Sequence, residues 1–249
     1  MTELYTGEAR TGWIDWNGDG INDFYADRYG KVLTGRQYLL GEDGEKHYYY
    51  FSRKLLNEGQ PNEIVVGQMI TGHSNAYDGR YYYVTDPTAG IALTGWVDLD
   101  QDGTNDYYTD RYGKVYTGMK YLTSQSGNRN YYFFDSDGKM AVNVAVTISR
   151  RLYAFGGDGA RLYGRQTILN RDTGDTFTYY FGRSGYALTG WQTEYGKKYY
   201  FDSNLTMHYG WLSYRGEMYY MADEDGHMVT GRYHTKDGDR LFDMDGRLI

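Results

Sequence analysis

Apolar positions in this chain come in short bursts. Aromatic pairs and triplets recur at Phe24-Tyr25, Tyr48 to Phe51, Tyr81 to Tyr83, Tyr107-Tyr108, Tyr131 to Phe134, Tyr179 to Phe181, Tyr199 to Phe201 and Tyr219-Tyr220. Glycine and polar residues separate them, so each burst has the length of a strand and falls short of a core helix. Glycines five apart punctuate the same rhythm, as at Gly30/Gly35, Gly90/Gly95, Gly113/Gly118, Gly159/Gly164 and Gly226/Gly231. The openings at Gly95, Gly118 and Gly164 lie 23 and twice 23 residues apart. The pattern within a unit is strand, turn, aromatic strand and second turn, which predicts a β-hairpin followed by a connection.

A lone hairpin is marginally stable in water, so such units must stack on their neighbours. The reading is therefore an all-β chain, an elongated β-solenoid of stacked hairpin repeats, with about ten units of roughly 20 to 26 residues spanning 1–249. Two stretches break the rhythm. Residues 52–72 lengthen a unit and include Pro61, and residues 141–151 put the apolar β-branched run AVNVAVTISRR where a unit should open.

Composition sharpens this picture. The 249 residues include 31 tyrosines and 34 glycines but 2 prolines and no cysteine. Aromatic residues suit a half-buried pleated surface, and glycine supplies the positive φ that tight turns need. A net charge of −7 argues against nucleic acid, whose affinity comes from lysine and arginine. No run of 18 apolar residues exists to insert in a membrane, and the first residues lack the basic and apolar regions of a signal peptide. The absence of cysteine removes disulfides and thiolate metal sites without fixing a compartment.

One motif occurs twice: DWNGDGINDFY at 15–25 and DLDQDGTNDYY at 98–108. Asp98, Asp100, Asp102, Gly103 and Asp106 match an acidic calcium loop, and Asp15, Asn17, Asp19, Gly20 and Asp23 match it with one asparagine. Calcium takes six to eight oxygen ligands, and a sixth-position glycine lets the first, third and fifth residues converge. The backbone carbonyls of Ile21 and Thr104 stand at the seventh place. The bidentate glutamate of an EF-hand is missing, since Ala26 and Thr109 hold the twelfth place. From the Gly-Trp tryptophan to the aromatic pair is 11 residues at Trp13 and Trp96 but 8 at Trp191 and Trp211. Three extra residues rich in carboxylates favour a structural calcium ion over a plain solvated turn.

The stretches TGWQTEYGKKYYFD at 189–202 and GWLSYRGEMYYMADEDGHMVTG at 210–231 resemble the cell-wall-binding, or choline-binding-like, repeat superfamily. Among its branches the likeness is to glucan-binding repeats and to the combined repetitive oligopeptides of large clostridial toxins. The resemblance implies a hairpin solenoid that attaches a parent protein to cell-wall polysaccharide, glucan or host glycan, at the cell surface or outside the cell, with no catalysis of its own. It implies ligand contacts at Trp13, Trp96, Trp191, Tyr199, Trp211 and Tyr219. In choline-binding members a second tryptophan precedes the tyrosine pair; here Lys198 and Met218 stand there. A lysine in the wall of a cage would repel a quaternary ammonium, which favours sugar over choline. The alternative is a structural stalk or protein-interaction module that uses its tyrosine-rich surface. No nucleophile elbow, HExxH pair or phosphate loop occurs, and five scattered histidines make no metal spacing, so no enzyme activity is expected.

Overall fold

The structure is a computed structural model, described here for residues 9–53, 55, 64–75, 77 and 79–249. Part of the long irregular unit, 56–63 with Pro61, lies outside these residues. All regular elements are strands. They pair in sequence as hairpins: β1 (Gly12–Ile14) with β2 (Phe24–Ala26), β3 (Gly35–Leu40) with β4 (Lys46–Phe51), and β5 (Gly72–Ser74) with β6 (Tyr83–Thr85). The series continues with β7 (Gly95–Val97) and β8 (Tyr107–Thr109), then β9 (Gly118–Thr123) and β10 (Arg129–Phe134). It ends with β11 (Val144–Ile148) and β12 (Arg151–Phe155), β13 (Gly164–Asn170) and β14 (Thr176–Phe181), β15 (Gly190–Glu194) and β16 (Lys197–Phe201), β17 (Gly210–Tyr214) and β18 (Glu217–Met221), and β19 (Gly231–Thr235) and β20 (Gly238–Phe242). The fold is all-β, built of stacked hairpins as the repetition predicts.

The sequence reads as one array, and the contacts divide it into two compact units. The first is Met1–Asn128 with Phe133–Met140, the second Arg129–Tyr132 with Ala141–Ile249. The apolar run at 141–151 accounts for much of the second unit's distinct build. It forms β11 and β12, and β11 then adds in parallel to β13, through Val144 opposite Leu169 and Ala145 opposite Asn170. The result is a four-stranded sheet, ordered β12-β11-β13-β14, in place of an isolated hairpin. Val144, Ala145 and Val146 are all buried there, which is why three apolar residues in succession replace the usual alternation.

Each connection stitches its hairpin to the previous one. After β16, Met207 N–H donates to Thr178 C=O at 2.8 Å; after β18, Met228 donates to Lys198 at 2.8 Å; after β20, Leu248 donates to Met218 at 2.9 Å. The first unit repeats the device with Met69 to Asp23, Ala92 to Tyr48 and Met140 to Asp106. Side chains alternate across a strand, so the aromatic bursts divide between two faces. On β14 and β16, Tyr179, Phe181, Tyr199 and Phe201 turn into the core, while Tyr180 and Tyr200 face the other way and stay half-buried. Glycines hold the left-handed corners: Gly95 at φ 76° opens β7, and Gly113 at φ 74° leaves no room for a Cβ, which would lie 2.8 Å from Val84 O.

Candidate glycan-binding grooves and acidic loops

The Gly-Trp tryptophans sit where consecutive hairpins meet. Trp13, Trp96, Trp191 and Trp211 stand opposite Tyr25, Tyr108, Tyr200 and Tyr220 in the strand register. Each indole meets that tyrosine edge to face, at 5.0, 4.8, 5.2 and 5.0 Å between centroids. A second aromatic comes from the next hairpin: Tyr49 at 4.7 Å for Trp13, Phe134 at 6.4 Å for Trp96, Tyr219 at 5.2 Å for Trp191 and Phe242 at 6.0 Å for Trp211. Three indole N–H groups also donate to the next hairpin, Trp13 to Leu40 O, Trp96 to Thr123 O and Trp211 to Asp237 Oδ2. All four tryptophans are half-buried. This arrangement makes them the bond between repeats, with one edge left at the surface.

The two tyrosines expected beside them separate. Tyr219 is half-buried against Trp191 and keeps an outer edge. Tyr199 is 3 % exposed, packs with Phe201 and Met207, and has the Arg165 guanidinium 4.1 Å above its ring. That corrects its reading as a ligand contact: strand alternation sends Tyr199 inward and leaves Tyr200 beside the indole.

Two open grooves of matching construction lie elsewhere on the hairpins. In the first unit, a groove of about 560 Å³ is lined by Tyr108, Tyr112, Tyr116, Thr94, Asp110 and Arg111. In the second, one of about 590 Å³ is lined by Tyr163, Tyr180, Leu188, Arg183 and Gln192. The positions correspond. Tyr108 and Tyr180 each stand opposite the residue that follows the opening glycine, and each accepts a backbone bond of 2.8 Å, from Tyr116 and Leu188. Asp110-Arg111 and Gly182-Arg183 form the equivalent turn. Tyr108 and Tyr180 belong to the aromatic bursts, and the one sequence sign of the turn beside Tyr108 is that DRYGKV recurs at 27–32 and 110–115. A third, more enclosed cavity of about 300 Å³ lies at Trp13, Tyr49, Met69, Asn22, Glu42 and Asp43, with Asn22 Nδ2 donating to Glu42 at 2.8 Å.

The two acidic loops share one internal bracing. Asp15 accepts from Gly20 N–H as Asp98 does from Gly103, both at 2.8 Å. Asp19 accepts from Ile21 as Asp102 does from Thr104, and Asp23 from Trp16 as Asp106 does from Leu99. Their carboxylates differ in convergence. Asp98, Asp100 and Asp106 bring ligand oxygens within 4.8 Å of one another, and no other such acidic or histidine group forms among the described residues. In the first loop Asn17 Nδ2 donates to Asp19, and Asp15, Asp19 and Asp23 stay apart as ligands. Asp106 is buried and carries a close ion pair with Lys139, which raises the lysine's pKa through that hydrogen bond.

Residues 188–233 match the choline-binding repeat family model. That match covers the two repeats around Trp191 and Trp211, under a fifth of the chain. Over 279 aligned residues the chain is 27 % identical to glucosyltransferase-S of Streptococcus mutans, covering 92 % of the chain and 18 % of that relative. With glucosyltransferase-I of Streptococcus downei it shares 26 % identity, over 80 % of the chain and 13 % of that protein. It thus spans less than a fifth of either enzyme. Among solved structures, the autolysin LytC of Streptococcus pneumoniae with a synthetic peptidoglycan ligand superposes with a TM-score of 0.55 at 17 % identity, over 96 % of this chain and 46 % of that one. Choline binding protein F of the same organism, solved with a tetrasaccharide-pentapeptide peptidoglycan analogue, gives 0.50 at 22 % identity, over 96 % and 86 %. At these identities the structures share the fold.

Proposed function

We propose that these repeats form a noncatalytic binding module that attaches a parent protein to cell-wall polysaccharide or glucan outside the cell. The observation that carries this reading is the recurrence of one groove in both units, lined in each by tyrosine and by an arginine-bearing turn. Tyrosine faces stack on the apolar faces of pyranose rings, while Asp110, Arg111, Arg183 and Gln192 supply partners for hydroxyls. Shallow sites repeated along one chain gain avidity by raising effective concentration, which suits a polymer ligand and not a small solute. The glucosyltransferases and the peptidoglycan-bound autolysin support the same class of ligand. Co-sedimentation with cross-linked dextran and with purified bacterial cell walls tests the reading. Retention on either, reversed by soluble polysaccharide, is expected; absence from both pellets at high protein concentration would overturn it.

A calcium ion at the 98–106 loop is the finer part of the proposal. Asp98, Asp100 and Asp106 fit a hard cation through their convergence, and the Asp102 carboxylate and Thr104 carbonyl complete the oxygen set that the motif provides. Such an ion would pin the hairpin. Binding of calcium would have to displace the Lys139 ammonium from Asp106, so K139M should tighten it.

A further inference from the structure

Charge is unevenly spread along this acidic chain. Residues 141–190 contain six arginines and no lysine against three aspartates, in a protein of net charge −7. Some of these arginines are spent on structure. Arg165 pairs with Glu194 at 3.2 Å and donates to Asp225 O at 3.1 Å. Two others are placed differently. Arg151 stacks 4.4 Å over the ring of Tyr186, and Tyr186 lies 6.3 Å from Tyr153, which Arg161 approaches at 5.9 Å.

Arg161 is held in advance of any ligand. Its guanidinium lies 4.2 Å over Tyr131 and 5.1 Å from Tyr163, and its Nε and Nη2 donate to the Tyr163 hydroxyl. A Cβ on Gly185 would stand 2.4 Å from its Cζ, so the group rests on bare backbone. Five N–H donors with only a phenol oxygen to receive them leave donors to spare. Neither Arg151 nor Arg161 has a carboxylate within ion-pair distance among the described residues. A planar guanidinium fixed by aromatic rings loses little entropy on meeting an anion, and its fork matches a phosphate or carboxylate. Tyr163 and Tyr131 stand exposed beside it, which offers a sugar ring a stacking surface next to the charge.

We propose that the Arg151–Tyr186–Tyr153–Arg161 cluster binds the anionic groups of a charged polysaccharide, phosphate or carboxylate carried on sugar. This rests on the polysaccharide-binding reading and adds a charge preference to it. Of the two grooves proposed for neutral sugar, that of Tyr108, Tyr112 and Tyr116 lies in the other unit and is untouched by changes here, whereas Tyr163 of the second accepts from Arg161.

The test compares binding of the full chain to three polymers of one backbone: dextran, carboxymethyl dextran and phosphorylated dextran. At low salt both charged polymers should bind about tenfold more tightly than dextran, as expected for two partly exposed charge pairs, and the margin should shrink in 0.5 M salt. Which charged polymer leads separates phosphate from carboxylate. R151Q/R161Q should lose the preference while retaining dextran binding through the groove of Tyr108, Tyr112 and Tyr116, and R161K should keep part of the preference; thermal melting checks that both variants fold, and R151Q alone serves if the double variant does not. Equal affinity for the three polymers, or a preference that survives in R151Q/R161Q, would overturn the charge preference and leave the polysaccharide reading standing. No binding to any of them would overturn both.

Discussion

Trp191 and Tyr219 belong to consecutive hairpins, yet their rings meet edge to face with centroids 5.2 Å apart. Tyr200, from the same hairpin as Trp191, closes the other side at 5.2 Å, and Tyr214 stands at 5.9 Å. Replacing the indole with a methyl group should therefore separate two repeats as well as empty a half-buried site. We expect W191A to cost about 3 kcal/mol in urea denaturation, with Y195A within about 0.5 kcal/mol of wild type because Tyr195 is 97 % exposed at a hairpin tip. Equal melting of the two variants would contradict the role given to the tryptophans.

Two glycines at positive φ separate strain from space. Gly113 at φ 74° has Val84 O where a Cβ would go, while Gly216 at φ 86° has nothing within 4 Å. G216A should cost about 1 kcal/mol, the left-handed penalty alone. G113A must also push backbone against backbone, and thermal melting should show at least twice that loss.

Glycine spacing and aromatic bursts gave the hairpins and their order, because turn geometry and strand alternation are local. Residues 141–151 stood out as irregular, but the parallel pairing of Val144 with Leu169 is long-range and left no local mark. Which member of an aromatic pair faces inward depends on register: Tyr199 went to the core and Tyr200 to the tryptophan, a difference of one residue. The grooves at Tyr108 and Tyr180 were equally hidden, since they are made by the return of each connection over its own hairpin.

Acid should expose one pair in the second unit. Burial alone would raise the Asp225 carboxyl, but hydrogen bonds from His227 and Lys197 outweigh it and hold the group well below its ordinary 3.8. Lys197 Nζ lies 3.0 Å away. With the folded value depressed, the contribution is present above about pH 4 and is lost as pH falls through the folded value. D225N should melt below wild type at pH 7, and the gap should close as the pH is taken well under 3.8. A gap that stays constant with pH would rule the linkage out.

The acidic loops give a metal-removal experiment. Wild-type protein should melt several degrees higher in calcium than in chelator, and D98N/D100N should abolish that difference. Identical curves for wild type in calcium and in chelator would mean that the loops are turns braced by their own carboxylates without an ion.

The central claim, polysaccharide held in the repeated grooves, is tested most directly by affinity electrophoresis through gels containing dextran. Wild type should be retarded in proportion to dextran concentration. Y116A and Q192A, one in each groove, should each weaken retardation by about fivefold, equivalent to roughly 1 kcal/mol of lost stacking or hydrogen bonding. The double variant should run as in a gel without polysaccharide, because avidity fails when both sites are lost. Retardation of the double variant equal to that of wild type would contradict the account.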